Sequence, residues 1–417
     1  MKKLLILNGV FAVISTLTLI GGFGDTRAMP MFSRKLGVPC STCHITPPRL
    51  NETGYRFRAA GFRMPEMIGQ TDDEPFKLWD YISARLQVRH ETSRSKIGSE
   101  MSTRHQTVLH AFELYPFTGA WGKYLSSNFK LTFAPEKSPA VEAANIKVNR
   151  GDEKRFFGFR AGIFHPFDGF GASDSPAAIS RPFFQTNAAN LDQTTFFTTW
   201  GFDQLGAEVG FDYRQTSVRA TLLNGLVLAK KNGNLTAFAA QGGPLTRSSP
   251  LRRAHNTPDF QLLINHVLHP EGGGLSLYYY RGNLTLPTAN DNGSFHNAFD
   301  RAALYGSYPV AKYLHLLAGF QRGRDRTRTG GTFSSEGAFA EAAVPIHELS
   351  EAGVRYDWFD PARNKPNNET EGVTVFVNAW FYQQVRIVAE YQHKSTERGS
   401  APEREDDTFQ VRFIFIK

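Results

Sequence analysis

From residue 82 to the C-terminus the chain repeats one signal: apolar and polar residues alternate with a period of two, the period of a strand with one oily and one wet face. In 82–89, Ile82, Ala84, Leu86 and Val88 share one face and Ser83, Arg85, Gln87 and Arg89 the other. In 205–213, Leu205, Ala207, Val209, Phe211 and Tyr213 oppose Gly206, Glu208, Gly210 and Asp212. Val373, Val375, Val377, Ala379 and Phe381 lead through a tight Gln383-Gln384 connection to Val385, Ile387, Ala389 and Tyr391. Past the first 28 residues no window offers the 18 or more apolar residues that a spanning helix needs.

Such strands occur in soluble sandwiches and in membrane barrels, so the connections decide. Short ones fall at 116–123, 214–217, 271–274, 309–312, 345–350 and 383–384, while long polar ones cover 91–104, 135–154, 227–258, 282–298, 322–335, 358–371 and 394–407. Short turns on one side and long loops on the other are the signature of an outer-membrane β-barrel, with turns in the periplasm and loops outside. Fifteen strand segments can be read, the last at 408–417 with Phe409, Val411, Phe413 and Phe415 on one face as a barrel-closing strand. The alternation breaks once between 155–164 and the strand ending at Tyr213. One more strand inside 165–200, around Pro182 to Gln185, would make sixteen and put both barrel ends on the periplasmic side. Aromatics, 13% of the chain, cluster at strand ends (Trp121 with Tyr124, Trp380 with Phe381 and Tyr382), as interfacial girdles do.

Ahead of the strands lies CSTCH, and its Cys40 and Cys43 are the only cysteines in 417 residues. A Cys-x-x-Cys-His run is the pattern of covalent c-type haem attachment: the two thiols add to the vinyl groups of one haem, and His44 follows as the ligand to its iron. A structural zinc site wants four ligands and no second cysteine pair exists. A thioredoxin-like dithiol should follow a βαβ pattern, which is missing, and an ordinary disulfide needs no histidine next to it.

Ala28, Pro30, Phe32, Arg34, Gly37, the CxxCH, Pro48, Leu50, Gly54, Phe57, Gly61 and Phe62 together resemble the N-terminal cytochrome segment of the fused cytochrome-porin proteins, whose best-known members are outer-membrane iron oxidases. The resemblance is dense over 28–63 and is one of architecture beyond. It departs at Ser33, Lys35, Leu36, Asn51 and Tyr55, none of them a haem-bonding position. It implies a monohaem c-type cytochrome fused to a sixteen-stranded barrel. It also implies an iron:cytochrome c oxidoreductase activity, with extracellular Fe(II) as electron donor and a periplasmic c-type cytochrome as acceptor.

The expected organisation is therefore a secretory signal over 1–28, opened by Lys2 and Lys3, a small α-helical haem segment over 29–72, and an all-β antiparallel outer-membrane barrel over 73–417. About 44 residues are too few for a self-sufficient core, so the haem must serve as one and lean on the barrel for cover. For the iron's sixth ligand Met64 is the first candidate, with a histidine or water as the alternative; the other eleven histidines show no ligand spacing. The net charge of +8, 47 basic against 39 acidic residues, is spread along strands and loops. It suits a lumen wall or anionic outer-membrane lipid better than nucleic acid, for which no basic-aromatic interleaving appears. Glu403, Glu405, Asp406 and Asp407 read as a solvated charge run rather than an iron-attracting site. The expected function is an electron conduit across the outer membrane. The alternatives are a transport porin with a structural or regulatory haem plug, or a conduit that runs outward to an extracellular acceptor.

Overall fold

The computed structural model describes residues 30–70, 77–135, 139–166, 169, 177–186, 188–191, 194–197, 203–231, 234–239, 257–287, 294–310, 313–326, 330–381 and 384–417. The signal assigned to 1–28 lies outside them. A 3-10 turn at Leu78–Tyr81 leads into the first strand. In chain order the wall strands are β1 (Ser83–Ile97), β2 (Glu100–Tyr115), β3 (Leu125–Phe133), β4 (Ala140–Gly151), β5 (Arg155–Phe164), β6 (Gln204–Tyr213), β7 (Thr216–Leu223) and β8 (Asp259–His269). They continue as β9 (Gly273–Pro287), β10 (Ser294–Pro309), β11 (His315–Arg326), β12 (Thr332–His347), β13 (Ser350–Asp360), β14 (Thr370–Phe381), β15 (Val385–Arg398) and β16 (Ala401–Ile416). Each pairs antiparallel with the next, and β16 returns to β1 with Arg85 opposite Ile416 and Ile97 opposite Arg404. The result is a closed sixteen-stranded antiparallel barrel. No helix among the described residues is long and apolar enough to cross a membrane.

The wall is inside out relative to a soluble protein. β11 alternates without a fault: His315, Leu317, Gly319, Gln321, Gly323 and Asp325 are buried, and the residues between them, Phe320 among them, are exposed. Across the barrel the exposed face carries Val209, Leu222, Leu277, Leu304 and Val354, while the buried face carries Gln261, Arg301, Asp325, Arg355 and Asp357. Several inward charges are paired: Arg301 Nη2 lies 2.7 Å from Asp325 Oδ1, Arg219 Nη2 2.6 Å from Asp212 Oδ2, and Arg355 Nε 2.8 Å from Asp357 Oδ2. An outer face of leucine, valine and phenylalanine with ionic pairs behind it suits a hydrocarbon surround.

The end where the chain enters β1 and leaves β16 is termed proximal. All its connections are short: 116–124, 152–154, 214–215, 270–272, 310–314, 348–349 and 382–384. The distal end holds the two longest, 165–203 and 224–258. Three expectations need correction. The sixteenth strand is β4, inside the stretch assigned to a polar loop at 135–154; it reads as polar because Asn145 and Asn149 face the lumen, leaving Ile146 and Val148 for the outer face. The stretch around Pro182 to Gln185 is not a wall strand but belongs to a segment folded into the lumen. The loops assigned to 91–104 and 394–407 are strand almost throughout, reduced to two-residue turns at Gly98-Ser99 and Gly399-Ser400 with positive φ at both glycines. There β1, β2, β15 and β16 run past the oily belt, and their polar ladders, such as His90 Nδ1 with Thr107 Oγ1 at 2.8 Å, need no apolar face. The acidic run sits on this extension, with Asp407 bonded to Tyr391 and His393 and Asp406 paired with Arg404.

Leu277, exposed at 52% and opposite Leu304 on the outer wall, tests this inversion. Leu277→Arg should cost about 2–4 kcal/mol, measured as a loss of denaturant resistance in lipid bilayers.

Candidate functional site

Residues 30–70 occupy the proximal mouth. Helix α1 (Pro30–Leu36) and helix α2 (Glu52–Ala59) flank a single 3-10 turn at Cys40–Thr42. Cys43 N and His44 N both donate to Cys40 O, at 3.1 and 3.0 Å, which gathers the cysteines and the histidine onto one turn. Asn51, one of the departures from the fused cytochrome-porin pattern, caps α2 by accepting from Gly54 N at 3.0 Å and donates to the carbonyls of Ser41 and Thr42. It thus ties α2 to the CxxCH turn. Gly54 permits the approach, since a Cβ there would run into the Cys43 carbonyl. Phe32 stacks on Phe62 at 5.0 Å and meets Phe57 edge-on at 5.1 Å.

The segment is bonded to the wall on several sides. Arg49 Nη2 meets Glu341 Oε1 and Arg49 Nε meets Glu351 Oε2, each at 2.7 Å. Burial opposes the Arg49 charge, but the two carboxylates more than offset it and hold the guanidinium firmly protonated. Asn378 and Trp380 both donate to Pro47 O, at 2.8 and 3.1 Å. On the other side Arg63 Nη2 donates to Gly122 O and Leu125 O. Gly61, at φ 71°, sits so close to Ser126 and Asn149 that a side chain would strike both.

Above this segment the long β5–β6 connection reaches into the lumen. Ile179 N and Ser180 N donate to Glu390 Oε2 at 2.6 and 2.9 Å, Arg386 Nη2 donates to Ala177 O at 2.8 Å, and Arg355 Nη1 to Ser180 O at 3.0 Å. A short helix α3 (Phe183–Thr186) follows. Phe183 and Phe184 join Tyr278, Tyr280, Tyr305 and Phe339 in a fully buried aromatic core inside the barrel. Between the two inserts lies a cavity of about 340 Å³. The N-terminal segment contributes Phe32, Cys40, Cys43, His44, Leu50 and Phe57 to it; the inward loop contributes Ala177 and Pro182, and the wall Arg85, His315, Leu317, Phe339, Arg355 and Arg386.

The residues here fit a covalently bound haem. Both thiols are free of a disulfide, and burial pushes Cys40 up to about 11 and Cys43 in the same direction. Burial lowers His44 to about 4, against backbone hydrogen bonds at Arg49 and Pro48 that favour its charged form, and leaves the imidazole neutral. Phe32, Leu50, Phe57 and Phe62 give an apolar surround, and arginines at the edge suit carboxylate groups. Among the described residues no three His, Cys, Asp or Glu side chains gather as a metal site. Met64 does not border the cavity; it precedes the turn at Pro65–Met67 that follows Arg63 along the β3 wall. His315, which sequence spacing did not single out, does border it. Its only signal was its inward place at the start of a strand.

No protein-family model and no curated protein matches this chain. Solved structures resemble it in fold. The anion-selective porin from Comamonas acidovorans superposes with a TM-score of 0.53 at 10% identity, covering 81% of this chain and 99% of that one. OmpF of Salmonella typhi in complex with daunomycin gives 0.52 at 10% identity over 81% and 97%. OprB of Pseudomonas putida gives 0.51 at 10% identity over 81% and 95%. The fold is that of the porins.

Replacing Arg49 with Met would leave the fully buried Glu351 without its cation. Arg49→Met should cost about 3–5 kcal/mol and expose residues 30–70 to protease before the barrel unfolds, read by limited proteolysis along a urea series.

Proposed function

We propose that this protein is an outer-membrane electron conduit, in which a single haem c held by Cys40, Cys43 and His44 sits inside the proximal, periplasmic mouth of a porin-like barrel. The observation that supports it is the cavity itself. The CxxCH turn faces a lumenal space bordered on one side by the N-terminal segment and on the other by Ala177 and Pro182 of the inward loop. When bound, the haem supplies one-electron redox chemistry, and no other chemistry is asked of the protein.

The chain's own residues supply shelter and position. Cys40 and Cys43 tether the group, and His44 presents a neutral imidazole to it. Arg49, Asn378 and Trp380 hold the His44–Leu50 hairpin at one depth in the barrel. Phe184, Tyr305 and Phe339 add a buried aromatic cluster inside the barrel beside this space. A hydrocarbon band roughly 25 Å tall insulates, and a redox centre carried inside the lumen shortens the gap that an electron must cross. By the resemblance at 28–63, extracellular Fe(II) is the donor and a periplasmic c-type cytochrome the acceptor.

A transport porin with a haem plug is the second reading. The porin fold and the inward arginines at 219, 301, 355 and 386 favour it. Liposomes separate the two. With an oxidised carrier trapped inside and Fe(II) outside, the conduit predicts reduction of the carrier, loss of that reduction in the Cys40→Ala/Cys43→Ala variant, and little solute leakage from either protein. Solute flux that rises in the variant, without electron flow in the parent, would support the porin instead.

A further inference from the structure

We propose that His315 of the barrel wall is the second axial ligand to the iron, opposite His44. This rests on the haem reading above and adds to it a ligand from outside the N-terminal segment. His315 opens β11 on its inward face, is 5% exposed, and has a buried Nδ1 with no hydrogen-bond partner. A buried polar nitrogen with nothing to bond is uncommon and asks for an explanation; an iron atom in the adjoining space is one. Among the described residues that border the cavity, His44 and His315 are the only imidazoles, and no methionine is present.

The docking of the N-terminal segment converges on this point from two sides. Leu317, the next inward residue after His315, stands opposite Glu341 of β12 and opposite Ser307 of β10. Glu341 holds Arg49. Ser307 Oγ donates to Gly272 O at 3.2 Å, and Gly272 lies against Ile45 and the Leu50 carbonyl. The hairpin whose ends pair at His44 and Leu50 is therefore pinned across the strand that carries His315. The N-terminal segment places no second imidazole and no methionine at the cavity, whereas the wall supplies an imidazole that borders it. Ligation by His315 would complete the iron's coordination only once the segment is seated, so that seating and haem ligation become one event.

The test uses the full-length protein in detergent, with covalent haem quantified on a haem-stained gel. Low-temperature EPR and near-infrared magnetic circular dichroism then distinguish bis-imidazole, imidazole–methionine and imidazole–water ligation. The parent and Met64→Ala should both give the bis-imidazole signature. His315→Ala should lose it for a high-spin form and regain a low-spin form when free imidazole is added. His315→Met, which keeps the side-chain bulk, should give the imidazole–methionine signature and a more positive potential. Retention of the parent spectrum in either His315 variant at full haem content, or loss of it in Met64→Ala, would overturn the assignment while leaving the haem in place. A parent protein without covalent haem would overturn both, and the gel reports that before any spectrum is compared.

Discussion

A strand at the edge of a sheet leaves a row of N–H and C=O groups unpaired, and hydrocarbon offers nothing to pair them with. The register of β16 against β1, from Arg85–Ile416 to Ile97–Arg404, removes both edges at once. Closure also separates the two faces of the wall. Once the ends of the sheet meet, every strand has an outside and an inside, and the period of two sends alternate residues to each. The leucines, valines and phenylalanines that a soluble protein would bury are turned outward. The arginines, aspartates and glutamines that it would expose are turned into the lumen, where Arg301 with Asp325 and Arg219 with Asp212 neutralise one another.

A lumen lined this way can accept polar backbone. The 177–186 segment shows how: its amides and carbonyls are met by Glu390, Arg386 and Arg355, which project from β13 and β15. The N-terminal segment is received similarly. Its Pro47 carbonyl takes two side-chain hydrogen bonds from β14, and Arg49 enters a pair of carboxylates waiting on β12 and β13. Forty residues with two short helices bury too little surface to hold a fold alone. The barrel furnishes the missing core and the proposed haem furnishes the rest.

Much of this was legible in the residues. The alternation at 205–213 marked its two faces correctly, with Val209, Phe211 and Tyr213 exposed and Glu208 and Asp212 buried. The closing role of 408–417 and the side of the short turns were readable too, because turn length and strand period are local properties. β4 was not, since a strand with Asn145, Lys147 and Asn149 on one face and three small or aliphatic residues on the other looks like a polar loop until its neighbours are known. The extended hairpins at 98–99 and 399–400 were hidden for a related reason: above the hydrocarbon both faces are wet, and the period of two fades.

For the site, the sequence by itself determined the Cys40, Cys43 and His44 spacing, the scarcity of thiols and the need for outside shelter, because motif spacing is local and about forty residues bury too little surface to stand alone. Only the tertiary structure decided what surrounds that motif. It moved Met64 away from the cavity, brought in His315 from a strand about 270 residues further along the chain, and set Arg49 between Glu341 and Glu351. These pairings join residues that closure and docking bring together across the barrel, and no spacing along the chain encodes such distances.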